Sequence, residues 1–374
     1  MFATGFFRWS YANLLKPVLF KMDPEYVHDT FVRIGAWLGK AEWSRSLVGA
    51  LFRYEHPSLV TDVCGIRFAN PVGLPAGFDK NARMTGIMPA VGFGFEEIGS
   101  VTGEPCAGNP KPRLWRLPES KALVVYYGLM NDGSEAIAGR LKGQRFAIPI
   151  GVSVAKTNSP ATVETQAGIA DYVKAMRTFV DAGVGEFFVV NISCPNAFGG
   201  EPYAEPSRLE ALLAAVDAVP TPKPVFVKIT ADTTMDRLDA ILEVVARHRI
   251  HGLIISNLTK KRDQATIVQT ELTAEMKGGI GGKPVQPLAD ALIRHAYAKA
   301  GGRLAIIGVG GVFTAEDAYR KIRAGASLVQ LVTGMIFEGP QVVGDINRGI
   351  VRLLERDGFA CVKDAVGADH RPKT

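Results

Sequence analysis

Phe187-Phe188-Val189-Val190-Asn191-Ile192-Ser193-Cys194-Pro195-Asn196 carries the pattern that decides the fold. Four apolar, β-favouring residues run without alternation and then give way to amides, a hydroxyl and a thiol. An unbroken apolar run suits a parallel strand buried on both faces. A polar end to such a run suits a loop that carries chemistry.

Working outward, short β-rich runs, most of them nearly continuous in apolar character, recur in Val72–Phe78, Glu96–Ser100, Pro149–Ala155, Val225–Thr230, Gly252–Asn257, Leu304–Gly310 and Leu328–Thr333. With Phe187–Ser193 that makes eight runs. Helical patterns separate most of them, among them Asp171–Ala182, Ser207–Ala218 and Leu288–Ala300. Eight β/α units in series predict a closed (β/α)8 TIM barrel rather than an open sheet. The runs end in Asp79-Lys80, Ser100, Asn191 to Asn196, Lys228, Ser256-Asn257, Gly310-Gly311 and Thr333-Gly334. In a barrel these ends meet at one rim, where active sites form.

The bulk composition agrees. The chain has 374 residues, 47% of them hydrophobic, enough for one barrel and an appendage. Its net charge of +6 is dispersed, with no basic run interleaved with aromatics, which argues against a nucleic-acid partner. An anionic cofactor, substrate or lipid surface is the better use of a mild positive excess. Cys64, Cys106, Cys194 and Cys361 form no CxxC pair and have no histidine cluster beside them, so neither a metal site nor a disulfide framework is expected. The pattern suits a reducing compartment. The first residues do not read as a cleavable signal, and no apolar stretch reaches the roughly 18 residues of a membrane span.

Residues 1–55 read as a helical arm in front of a barrel at 56–374. Asp23-Pro24-Glu25 is a helix start: a capping acid, a proline at the first helical position and an acid in the first turn. Val27, Phe31, Ile34 and Leu38 then share one helical face. Tyr11, Leu14, Leu15, Val18, Leu19 and Met22 share another on the preceding segment, which makes two amphipathic helices. Such faces either pack on the barrel or form a membrane contact and a tunnel for a lipid-soluble molecule.

Gly310-Gly311 and Thr333-Gly334 fall after the seventh and eighth runs, where barrels bind phosphate; turn glycines are the plainer alternative. Lys80 and Lys228 close or follow strands. Each needs an anion there, from a ligand or from a barrel carboxylate. Asn191 and Asn196 can hold a flat polar ring by directional hydrogen bonds. A lone cysteine is more often a small core residue, but Cys194 sits on a polar rim loop and can serve as a base if its pKa falls.

Gly77 to Lys80, Gly99 to Thr102, Asn109 to Arg113, Asn191 to Asn196, Val227 to Ile229, Ile307 to Gly311 and Gly325 to Gln330 together resemble the dihydroorotate dehydrogenase family, in the family's order. Leu14 to Pro17, Met22 to Glu25, Asp357 to Phe359 and Ala368 to Arg371 are similar to its membrane-associated, quinone-using class. The resemblance implies FMN held by Ala76, Gly77, Lys80, Ser100, Ser153, Asn191, Lys228, Ser256, Gly282, Gly310, Gly311, Thr333 and Gly334. It implies a dihydropyrimidine facing Lys80, Tyr127, Gly128, Leu129, Asn191, Asn196 and Asn257, with Cys194 as the base. Electrons would pass to a quinone admitted between the N-terminal helices, and the enzyme would sit peripherally on the cytoplasmic side of a membrane. The oligomeric state is left open.

The chain departs from that pattern. The quinone class normally has serine as the base, whereas cysteine marks the soluble classes. Val125 stands where an asparagine is usual, Leu258 where a hydroxyl is usual, and Ser153 where many members have asparagine. Loss of polar partners weakens orotate recognition, since a buried unpaired group costs about 1–3 kcal/mol. Two other functions therefore stay open: a paralogue acting on another dihydropyrimidine or related ring, and a non-catalytic membrane-surface or phosphate-binding barrel.

Overall fold

All eight runs form strands in the computed structural model, which describes residues 2–372. Met1, Lys373 and Thr374, the outer ends of the expected arm and barrel, lie outside the described residues. The strands are β1 (Val72–Leu74), β2 (Phe95–Val101), β3 (Ile150–Val154), β4 (Phe187–Asn191), β5 (Val225–Ile229), β6 (Gly252–Ile255), β7 (Ala305–Val309) and β8 (Leu328–Gln330). They pair in parallel and in sequence, and β8 closes on β1 through Val329 and Val72. The first and last strands stop short of their predicted ends. Pro75 to Lys80 becomes a rim loop, and Thr333 starts a short helix, Thr333–Glu338, instead of finishing β8.

An aromatic layer fills the barrel interior. Phe95, Phe187 and Phe226 project inward and pack edge-to-face, with centroids 6.2 Å and 5.6 Å apart. Each covers a glycine on a neighbouring strand: Phe95 lies against Gly73, Phe187 against Gly151 and Phe226 against Gly252. A Cβ at any of these glycines would overlap a ring, so bulky and vacant positions alternate around the layer. Phe68, on the hairpin Thr61–Val63/Ile66–Phe68, plugs the bottom against Phe95 at 5.3 Å. The helices expected from sequence appear as Thr165–Ala182, Pro206–Asp217 and Gln286–Ala300.

A small antiparallel sheet lies over the mouth: Leu114–Leu117, Ala122–Val125 and Gly279–Gly282. It is absent from the sequence reading. It carries Val125 and the neighbouring loop Tyr126 to Met130 into the rim.

The arm has three helices rather than two. A continuous helical run spans Phe2 to Leu19, with a π-turn over Tyr11–Leu15. Pro24–Leu38 follows the expected Asp23 cap, whose carboxylate accepts from the Tyr26 amide at 2.7 Å. Glu42–Phe52 is the added helix. Glu25 does more than favour a helix start. It pairs with Arg113 at 2.8 Å in the interior and locks the second helix to the barrel's rim loop. Arg113 also donates to the carbonyls of Ala107 and Asn109, so its remaining N–H groups are used.

Candidate functional site

The strand ends converge on two adjoining clefts at the mouth, one of about 950 Å³ and one of about 590 Å³. Ala76, Gly77, Lys80, Tyr127, Lys228 and Asn257 line both.

Glycines wall the larger cleft. Ser256, Gly282, Gly310, Gly311, Thr333 and Gly334 line it, as expected. Gly77 has φ +112° and nothing within 4 Å of where a Cβ would stand, so a side chain there would enter the cleft. Gly311, at φ +70°, lets the main chain run against Gln286, where a Cβ would overlap that residue's own Cβ. On the floor, Lys228 donates to Glu97 at 3.2 and 3.3 Å, and Gln330 donates to the same carboxylate at 2.9 Å. The lysine thus finds its anion inside the barrel while still facing the cleft. Gln330 Oε1 is buried without a hydrogen-bond partner, an acceptor waiting for a donor from the cleft.

The smaller cleft gathers the chemistry. Cys194, Asn191, Asn196, Asn257, Gly128 and Leu129 line it together with Lys80, Tyr127 and Ser100. A hydrogen-bonded string fixes its rim. Asn191 Nδ2 donates to Ser100 Oγ at 2.8 Å, and its Oδ1 accepts from Ser193 Oγ at 2.7 Å. Asn257 Nδ2 donates to the Ser193 carbonyl at 2.8 Å, and Asn196 Nδ2 to the Val125 carbonyl at 2.9 Å. These contacts leave the Oδ1 atoms of Asn196 and Asn257 free to accept from a ring N–H.

Ser153 is the exception among the expected cofactor residues. It lies behind Ser100, Oγ to Oγ at 2.8 Å, and lines neither cleft. A serine is too short to reach past Ser100 from that position, so it supports the rim instead.

Sequence reasoning did not single out two other asparagines. Asn109 Nδ2 donates to the carbonyls of Tyr126 and Asn196 at 3.1 and 3.0 Å. Asn158 Nδ2 donates to Asn109 Oδ1 and the Gly128 carbonyl, both at 3.1 Å, and its Oδ1 accepts from the Phe198 amide at 2.7 Å. Together they sew the Tyr127 loop to the Cys194 loop. The Asn109-Pro110-Lys111-Pro112-Arg113 stretch was the only hint of this in the sequence.

Lys80 is the unpaired cation of the clefts. Among the described residues no carboxylate lies within 4 Å of its ammonium. It sits 3.9 Å from the Tyr127 ring centre and 3.5 Å from His28 Nε2. Burial lowers its pKa to about 8, with Arg113 adding to the depression and Asp29 opposing it. Burial raises the Cys194 thiol to about 11; a backbone hydrogen bond from Asn196 and the Lys156 charge pull the other way.

A third cavity, about 1190 Å³, lies beneath the arm and adjoins the glycine-walled cleft at His28, Phe78 and Ile336. Tyr11, Leu19, Val27, Phe31, Ile34 and Leu38 from the arm line it, so the predicted apolar faces surround a space rather than pack tightly on the barrel. Its polar lining is His28, Arg116 and Tyr11. Burial and Lys80 lower the His28 pKa, which keeps the ring neutral near pH 7. The arm's other face is exposed: Trp9 is 56%, Trp37 60% and Trp43 63% accessible.

Comparison with known proteins agrees. The family model described as dihydroorotate dehydrogenase matches residues 58–354. Proteins named dihydroorotate dehydrogenase (quinone) are similar over most of the chain. The one from Gloeobacter violaceus is 39% identical over 95% of this chain and 98% of its own, and that from Natronomonas pharaonis 40% over 96% and 99%. A crystal structure of DHODH from Eimeria tenella in complex with ferulenol superposes with a TM-score of 0.80 at 29% identity, covering 94% of this chain and 96% of that one.

Proposed function

The chain belongs to the dihydroorotate dehydrogenase family, and from that premise we propose that it binds FMN and oxidises dihydroorotate to orotate in pyrimidine biosynthesis, with a quinone as electron acceptor. One observation carries the reading. A thiol, three asparagine amides and an unpaired lysine share a cleft that is continuous with a glycine-walled cleft and, beyond it, with an apolar chamber.

The larger cleft fits FMN. Gly77 leaves room for a flat ring, Gln330 Oε1 lacks a donor such as a ring N–H, and Gly310, Gly311 and Gly334 expose main-chain groups suited to a phosphate. When bound, FMN supplies a two-electron acceptor for the hydride leaving C6 of the substrate. The protein does the rest. Lys80 faces the substrate's negative charge, and the free Oδ1 atoms of Asn196 and Asn257 accept from its ring N–H groups. Cys194, as thiolate, takes the C5 proton: an S–H bond forms, and the C5–H pair becomes the second C5–C6 bond. Holding the ring against the thiol supplies much of the rate, and the base adds about 10²- to 10⁴-fold.

The chamber under the arm supports quinone entry, with His28 between it and Lys80. The exposed tryptophans and leucines of the arm support peripheral attachment to a membrane by residues 1–55, since amphipathic faces of this kind lie in the lipid interface. Among the described residues no helix is long and apolar enough to cross a membrane. Attachment on the cytoplasmic side agrees with four cysteines that are all free.

Val125 and Leu258, lining the substrate cleft, favour one other reading: a dihydropyrimidine lacking the carboxylate. Anaerobic addition of dihydroorotate or dihydrouracil to the flavin-loaded protein separates the two. Bleaching by dihydroorotate is expected; bleaching by dihydrouracil alone transfers the assignment.

A further inference from the structure

Cys194 divides two spaces. On one side is the substrate cleft; on the other is a small chamber, with room for about one water, lined by Lys156, Tyr172, Cys194, Glu201 and Tyr203. A base that takes a proton in every turnover must also lose it. While a ring covers its cleft side, the rear chamber is the space that adjoins the thiol from behind.

The chamber is built for the purpose. Lys156, buried at the end of β3, donates to the Phe198 carbonyl at 2.7 Å and holds the Cys194 loop over the space. Tyr172 donates to the Asn191 carbonyl at 2.7 Å from the other wall. The Glu201 carboxylate makes no hydrogen bond or ion pair within the protein among the described residues, and the residue is half-buried, in contact with both chamber and surface. Apolar Leu129, Ala155, Ile192, Ala197 and Pro202 complete the walls, so a single water there takes its two or more partners from these polar groups.

We propose that the proton taken by Cys194 leaves through this chamber to the carboxylate of Glu201. This rests on the assignment of Cys194 as the base. The S–H bond breaks and sulfur keeps the pair. A chamber water accepts that proton while passing one of its own to a Glu201 oxygen, and the neutral carboxyl then releases it to solvent. The thiol, near 11, holds its proton more tightly than the carboxyl does, so Glu201 carries the proton only in passing and release to solvent draws it on. Glu201 when ionised holds the thiol's pKa up, whereas Lys156 lowers it, so arrival of the proton at Glu201 removes the charge that opposes the thiolate. Burial raises the Glu201 pKa; Lys260 opposes this and Asp232 reinforces it, which makes the carboxyl a better acceptor than an exposed one. Burial lowers the Lys156 pKa against the charges of Cys194 and Asp171, and Cys106 adds to the rise at Cys194.

The test compares E201Q and E201D with the parent, all flavin-loaded. Two quantities are read: the pH midpoint for alkylation of Cys194, followed by mass spectrometry of its peptide, and the steady-state rate of quinone reduction at saturating dihydroorotate, over many turnovers. In E201Q the alkylation midpoint is expected to fall, because a negative charge is gone, while steady-state turnover slows by about tenfold or more. E201D should stay within about threefold of the parent. An effect through charge alone gives the opposite sign, faster turnover with the lower midpoint, and overturns the proposal, as does an unchanged rate. If the parent itself is not bleached by dihydroorotate, the substrate assignment falls and the relay falls with it.

Discussion

The Lys80 ammonium lies 3.9 Å from the centre of the Tyr127 ring, a cation held on an aromatic face inside the substrate cleft. A desolvated contact of this kind is worth about 2 kcal/mol, and it offsets part of the burial that brings the Lys80 pKa down to about 8. Substrate affinity should depend on Lys80 being charged, so it should weaken as pH rises through about 8. Tyr127→Leu removes the aromatic face, lowers the pKa further and moves that weakening to lower pH by about one unit. Tyr127→Phe keeps the face. It also removes a buried hydroxyl that has no partner, so its stability should be equal or up to about 1 kcal/mol higher. Dissociation constants for orotate across pH 6–9, with denaturant midpoints, check both, the range spanning the roughly two units around the transition.

Cys194→Ala should keep its flavin and its fold and lose about 10²- to 10⁴-fold in bleaching rate. In the parent the thiol is raised to about 11, and the active form is the thiolate. Below that value the thiolate fraction, and with it the rate at saturating substrate, should climb about tenfold per pH unit. Stopped-flow absorbance reads this directly. A flat profile would mean that the thiol is not the base.

The arm and the barrel mouth should separate kinetically. Val27→Trp places a large ring in the chamber under the arm and should leave bleaching by dihydroorotate within about twofold. Reoxidation by a quinone should fall by about tenfold or more in the same protein. Equal losses in both half-reactions would argue against the chamber as the quinone's route.

Glu25→Ala strands Arg113 without its carboxylate in the interior. Breaking a buried pair from one side costs about 3–5 kcal/mol, whereas replacing both partners with apolar residues costs much less. Urea unfolding of Glu25→Ala and of the double variant Glu25→Leu/Arg113→Met should show that order.

The barrel was legible because parallel strands buried on both faces leave nearly continuous apolar runs, and most of the eight did so; Glu96-Glu97 is the plainest interruption. The cap sheet was not. Its third strand, Gly279-Ile280-Gly281-Gly282, reads as turn glycine, and its partners lie more than a hundred positions earlier. The Cys194 loop was legible because its amides and thiol are neighbours in the chain. What supports it was not: Asn109, Asn158, Lys156 and Glu201 reach the loop from other segments, and no local pattern records that meeting. The same holds for Lys228, whose need for an anion was evident while the carboxylate that meets it, Glu97, stands 131 positions away. Nor did any local pattern record that the Ser153 hydroxyl would pair with Ser100 behind the rim.

The most direct measurement is the visible spectrum of the purified protein, first in air and then without oxygen after adding dihydroorotate. The account requires a yellow protein whose flavin absorbance is lost on adding dihydroorotate and returns when a quinone is supplied. A protein that binds FMN and stays yellow in the presence of dihydroorotate would contradict it.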